Sequence, residues 1–142
     1  MGAACVEYAL EKRLAPYLKV QAVSWLGLGT VVLGEMVRKA AMVTAKQNFT
    51  HVIQFDKREE HQLVVHGIYR WMRHPGYAGW LLWAVGTQLL LCNPICTLGF
   101  TVVAWVFFKR RIAVEEELLV KFFGNAYTQY RARVPSGLPF IR

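Results

Sequence analysis

Two long stretches of the chain carry no formal charge: residues 20–34 and 74–108 contain no Asp, Glu, Lys or Arg. The first opens a segment, residues 20–42, of about the length a membrane-crossing helix needs. Gly27, Gly29 and Gly34 provide positions within it where a second backbone can approach closely. The second stretch is broken at Asn93-Pro94, because proline lacks the amide donor that a helix interior uses. Its halves, 77–91 and 95–108, predict two helices of roughly 20 Å each, turning back on one another with no charge at the turn. Before these runs lies a short mixed segment, residues 1–19. Between them, residues 43–73 are polar and mixed, a connector long enough to suggest that it binds something. After them, Leu118, Leu119, Phe122 and Phe123 form an apolar stripe at helical spacing. Gly124 ends or kinks that helix, and Pro135 and Pro139 mark a turn-rich tail.

The pattern predicts an all-α integral membrane protein folded as a single domain over residues 1–142. A transmembrane helix occupies 20–42, a cytosolic connector 43–73, a membrane helical hairpin 74–111, and a cytosolic helix and tail 112–142.

Charge adds to this picture. Lys and Arg number 17 against 9 Asp and Glu, a formal charge of +8, while 55% of residues are hydrophobic. A basic excess suits a nucleic-acid binder, but no basic helix with a polar face and no RNA-reading sheet motif is present. Cations gathered beside apolar runs instead fit the cytoplasmic side of membrane helices. Cys5, Cys92 and Cys96 are too few and too scattered for a disulfide framework. The histidines, His51, His61, His66 and His74, match no zinc spacing, so no metal is expected.

Three groups of residues are candidates for chemistry. Arg73-His74-Pro75 stands at the mouth of the long apolar run, among Tyr69, Trp71, Tyr77 and Trp80. It reads equally as a headgroup-level belt or as a site in which proline leaves the following amides ready for a polar ligand. Arg111 and Glu115 are four apart and share a helix face, which suits a surface salt bridge. The block of Lys109, Arg110 and Arg111 before Glu115, Glu116 and Glu117 also suits a zwitterionic ligand or an internal ion network. Glu35 and Arg38, three apart, form a structural pair or a site wall.

Taken together, these residues resemble the isoprenylcysteine carboxyl methyltransferase family over residues 17–141. The most specific stretches are HVIQ (51–54), HQLVVHGIYRWMRHPGYAGW (61–80), GTQLLLCNPIC (86–96) and EEELLVKFFGNAYTQYRARVPSGLPFI (115–141). The shorter C-terminal pattern is shared with phospholipid N-methyltransferases and some membrane sterol reductases; the CNPIC and GLPFI stretches point away from both.

The resemblance implies a multi-pass endoplasmic reticulum membrane enzyme with its cofactor-binding region and active site facing the cytosol. Such an enzyme methylates the free α-carboxylate of a C-terminal farnesyl- or geranylgeranyl-cysteine in processed CaaX proteins, Ras-type small GTPases among them. S-adenosylmethionine is the methyl donor, and prenylated proteins and membrane lipid are the partners. The implied cofactor residues are Gln54, His61, Gln62, Leu63, Val64, Tyr69, His74, Pro75, Gly76, Tyr77 and Glu115. Arg111 would hold the substrate carboxylate. Arg111 and Glu115, with Arg73 and Glu116, form the implied catalytic set, and Tyr127 and Tyr130 support it. The matching region corresponds to the C-terminal catalytic half of animal-type members. The alternatives are a phospholipid N-methyltransferase, or an inactive membrane fragment that needs further N-terminal helices.

Overall fold

The computed structural model describes residues 2–50, 53, 55–56 and 62–141. Five α-helices follow in order: α1 (Gly2–Leu14), α2 (Gln21–Ala45), α3 (Pro75–Leu90), α4 (Pro94–Phe123) and α5 (Asn125–Arg133). Short 3-10 turns occupy Pro16–Leu18, Lys46–Asn48 and Gly67–Arg70, and no strand occurs among the described residues. Proline stands at the first position of both α3 and α4, where its missing donor costs nothing. Gly124, at φ 54, separates α4 from α5.

The all-α expectation stands, but the transmembrane part of it does not. Among the described residues no helix is long and apolar enough to cross a membrane. Crossing takes about 20 largely apolar residues, whereas α3 has only 16. Helix α4 has 30, but Lys109, Arg110 and Arg111 end its apolar run halfway along. Helix α2 has 25, with Glu35, Arg38 and Lys39 in its second half and glycines diluting the first. The expected transmembrane helix at 20–42, the membrane hairpin at 74–111 and the multi-pass endoplasmic reticulum placement are corrected accordingly. An uncharged run was mistaken for a membrane-crossing one.

The chain forms two compact units. The first comprises residues 1–36 and 79–106. Here α2 and α3 come into backbone contact at three glycines. A Cβ on Gly27 would lie 2.1 Å from the Leu90 amide nitrogen; one on Gly34, 2.7 Å from the Gly79 carbonyl oxygen; one on Gly86, 2.8 Å from the Val31 amide nitrogen. Gly29, also expected to serve close packing, faces open space.

Helix α1 buttons down the α3–α4 turn. Both carboxylate oxygens of Glu7 accept from the first α4 amides, those of Ile95 and Cys96, at 2.8 Å. Lys19 Nζ donates to the Leu91 and Cys92 carbonyls at the end of α3 and to Asn93 Oδ1, and pairs with Glu11 at 2.6 Å. An acid at a helix N-terminus and a cation at a C-terminus satisfy orphaned backbone groups and the helix dipole together. The turn that carries no charge in sequence thus receives two charged side chains, Glu7 and Lys19, from far along the chain.

The second unit comprises residues 37–78 and 107–142 and holds every described residue of the implied cofactor and catalytic sets.

Candidate active site

Helix α4 sorts its acids by face. Phe108, Ile112 and Glu116, four apart, are all buried. Arg111 and Glu115, one position back on the helical wheel, are half-buried. Adjacent glutamates therefore occupy different environments, the Glu116 side chain 4% exposed and that of Glu115 29%.

Glu116 is the centre of a buried ion cluster. Arg73 Nε donates to its Oε1 at 2.8 Å, and Nη2 lies 2.6 Å from the same oxygen. His74 Nε2 lies 3.1 Å from Oε1, and Arg131 Nε 3.0 Å from Oε2. Burial pushes the carboxyl toward protonation, but the hydrogen bonds from His74 and Arg73 and the Arg73 charge outweigh it, and its pKa falls below the ordinary value. The cluster also fastens the tail. Arg73 Nη1 donates to the Arg131 and Val134 carbonyls. The Arg73 and His74 amides donate to the Pro135 and Ser136 carbonyls, each at 2.9 Å. Gly137, at φ 95, turns directly beneath Met72, where a Cβ would sit 2.8 Å from the Met72 Cβ.

Next to the cluster is a second, more open arrangement. The Tyr77 hydroxyl donates to Glu115 Oε2 and accepts from Arg111 Nε at 2.8 Å. The Tyr77 ring stacks on His74 (centroids 5.6 Å apart, planes at 10°) and on Phe108 (5.0 Å, 25°). His74 Nδ1 lies 3.9 Å from Glu115 Oε1, so the histidine faces both glutamates. Burial first, then the Glu115 charge, raise the Tyr77 phenol above its ordinary value of 10.0. Tyr69 is pushed up to about 12 by burial, with Glu115 adding to it. Its carbonyl accepts from the Tyr130 hydroxyl at 2.6 Å.

Of the residues singled out in the sequence, Arg73, His74, Tyr77, Arg111, Glu115 and Glu116 come together here. Pro75 and Gly76 are buried at the start of α3. The Gly76 carbonyl accepts from Arg38 at 3.2 Å. Of the amides just beyond Pro75, those of Tyr77 and Ala78 donate to the His74 carbonyl. Gln62, Leu63 and Val64 lie in irregular chain, where the Gln62 amide donates to Asn48 Oδ1 at 3.0 Å. Gln54, His61 and His51 lie outside the described residues, as do residues 57–60 of the charged turn. Buried Tyr127 has no hydrogen-bond partner for its hydroxyl among the described residues.

Arg131 and Phe108 were missed. The signal for Arg131 was its place in the YRAR stretch; Phe108 was hidden in an uncharged run.

A buried ion cluster lies beside a half-buried carboxylate and guanidinium, groups whose chemistry suits a polar ligand carrying both signs of charge. The comparisons give that class a family. A family model described as the isoprenylcysteine carboxyl methyltransferase (ICMT) family matches residues 25–121. A probable protein-S-isoprenylcysteine O-methyltransferase of Oryza sativa subsp. indica is 52% identical over 142 residues, covering 99% of this chain and 74% of that protein. The protein-S-isoprenylcysteine O-methyltransferase of Homo sapiens is 49% identical over 140 residues, covering 96% of this chain and 49% of that protein. A solved structure described as the eukaryotic intramembrane Ras methyltransferase ICMT superposes with a TM-score of 0.96 at 45% identity, covering 98% of this chain and 50% of that one. The chain belongs to the isoprenylcysteine carboxyl methyltransferase family. It spans about half the length of the human relative and of the solved chain.

Proposed function

We propose that this chain carries the methyl-transfer site of a protein-S-isoprenylcysteine O-methyltransferase. The reaction esterifies the C-terminal α-carboxylate of prenylated cysteine in processed CaaX proteins, with S-adenosylmethionine as donor. The observation that carries this reading is the Arg111–Tyr77–Glu115 arrangement, which offers a carboxylate-binding cation and a cation-binding carboxylate side by side.

The donor fits the residues present. It carries an ammonium, a carboxylate and ribose hydroxyls. Glu115, still 29% exposed, has acceptor capacity for the ammonium or a hydroxyl. His74 and Tyr69 stand beside it. S-adenosylmethionine supplies, when bound, an activated methyl on a cationic sulfur.

The acceptor carboxylate is already ionised at neutral pH, so the chain has no proton to remove. Its work is positioning and exclusion of water. The Arg111 guanidinium holds the acceptor carboxylate in a fork-like grip. Arg73, Glu116 and Arg131 act from beneath. Arg73 and Glu116 are too buried to touch a substrate, but they fix His74 and the start of α3 from which Tyr77 projects. Proteins ending in prenylated cysteine, Ras-type GTPases among them, are the proposed substrates.

Arg111→Ala tests the assignment. We expect acceptor affinity to fall by at least about tenfold, as for loss of a hydrogen bond to a charged group, with donor affinity changed far less. Equal loss of both affinities would remove Arg111 from the acceptor role.

A further inference from the structure

We infer that Ser136 and Gly137 are positioning residues for the donor side of the site, acting on it through His74. The inference rests on the donor-binding role proposed above for Glu115 and its neighbour His74.

The segment 134–141 contains no helix, yet it is tightly built. Ser136 and Leu138 are buried. The Ser136 hydroxyl accepts from the Leu138 amide at 3.3 Å and donates to the Ile141 carbonyl. The Ile141 amide donates in turn to the Leu138 carbonyl at 3.4 Å. Closing this turn takes two residues into left-handed backbone, Gly137 at φ 95 and Phe140 at φ 62. A bulky residue adopts that conformation only where its surroundings impose it. The Phe140 ring is 94% exposed, so the constraint comes from the bonds around Ser136 rather than from ring packing.

The turn is seated on the chain just before α3. Gly137 lies against Met72, where a Cβ would come 2.8 Å from the Met72 Cβ and 3.2 Å from its sulfur. With Gly137 there, the Pro135 and Ser136 carbonyls accept from the Arg73 and His74 amides. His74 is thus gripped at both ends of its backbone. Ser136 holds its amide, and the Tyr77 and Ala78 amides hold its carbonyl, each at 3.1 Å. With the backbone fixed, the side chain can move only by changing rotamer. The stack on Tyr77 and the contact with Glu116 select one rotamer, which leaves Nδ1 3.9 Å from Glu115. The Ser136 hydroxyl is spent within the turn, so its effect on a ligand passes through the histidine.

Gly137→Ala breaks the seat in two ways. The added methyl meets Met72, and φ 95 is a conformation that L side chains rarely adopt. The Arg73 and His74 amides then lose their partners, and the imidazole loses its fixed direction toward Glu115. Ser136→Ala is milder: it keeps the space and the backbone conformation but removes the hydroxyl that closes the turn.

The experiment uses the full-length enzyme and measures the dissociation constant of S-adenosylmethionine. Ser136→Ala should weaken binding by about fivefold, the worth of one ordinary hydrogen bond, and Gly137→Ala by at least about tenfold. His74→Ala should weaken it as well. On top of His74→Ala, either substitution should add less than about twofold, because the group through which it acts is gone; a general structural defect would add its full effect. Ser136→Ala carries this cycle if Gly137→Ala does not fold. Histidines labelled in the imidazole give a second readout without ligand: the His74 ring signal, assigned by its loss in His74→Ala, should move in Ser136→Ala. The inference is overturned if Ser136→Ala or His74→Ala binds S-adenosylmethionine as the wild type does, if the losses add in full, or if the His74 signal stays in place. A wild type that binds no S-adenosylmethionine overturns the donor reading alone, and the His74 signal still decides whether this turn sets the histidine.

Discussion

Replacing Glu116 by glutamine keeps the shape of the side chain and removes its charge. The carboxylate now takes Arg73 Nε and Nη2, His74 Nε2 and Arg131 Nε on its two oxygens. An amide has one oxygen and a nitrogen that donates, so a donor must face a donor, and the buried Arg73 charge loses its counter-ion. Removing one partner of a buried pair costs about 3–5 kcal/mol. Arg131, with its side chain 47% exposed, accounts for little of that. Against a typical domain stability of about 5–15 kcal/mol, the loss is large. In urea, with an m-value of about 2 kcal/mol/M, the midpoint should fall by about 2 M. Exposed Glu117→Gln serves as control and should stay within about 0.5 kcal/mol of the wild type. The pH dependence follows from the lowered pKa of Glu116 in the folded state. Stability from a depressed carboxyl is present above its unfolded value and is lost as pH falls through the folded one. The wild type should therefore lose stability below about pH 4.5 more steeply than Glu116→Gln does. A midpoint for Glu116→Gln equal to that of Glu117→Gln, or an acid limb parallel to the wild type, would refute the reasoning.

Three further outcomes follow from the packing. Gly34→Ala places a methyl 2.7 Å from backbone atoms of α3 and should destabilise by more than about 2 kcal/mol, whereas Gly29→Ala, facing open space, should stabilise by up to about 1 kcal/mol; thermal unfolding compares the two, and similar shifts would contradict the contact. Tyr127→Phe removes a buried hydroxyl that has no partner among the described residues, so it should leave stability unchanged or raised by about 1 kcal/mol; a loss of that size would reveal a bond made by the hydroxyl. Lys19→Met leaves the Leu91 and Cys92 carbonyls without their cap and should increase amide hydrogen exchange at residues 91–97 first; unchanged exchange there would show that the turn does not depend on Lys19.

Local rules made much of this legible in the sequence. The break between α3 and α4 follows from a proline that can start a helix but not continue one. Arg73 and His74 meet Glu116 and Arg131 in one ion cluster, and the sequence showed both stretches without showing that bond set. Long-range effects were hidden. Nothing local to residues 91–96 announces that Glu7 and Lys19, some 70 or more residues away, will cap both helix ends. Helical spacing puts Arg111 and Glu115 on one face, but only the fold inserts Tyr77 between them. The membrane expectation failed for a countable reason: absence of charge over a stretch is a weaker condition than enough apolar length within one helix.

The most direct measurement is where a transferred methyl ends up. The full-length enzyme is given S-adenosylmethionine with a labelled methyl, together with farnesylcysteine carrying a blocked amine and phosphatidylethanolamine. The label should appear as a carboxyl ester, released as methanol by mild base, and Arg111→Ala should abolish most of it. Label retained in a base-stable lipid amine, or base-labile ester formed equally well without Arg111, would contradict the site described here.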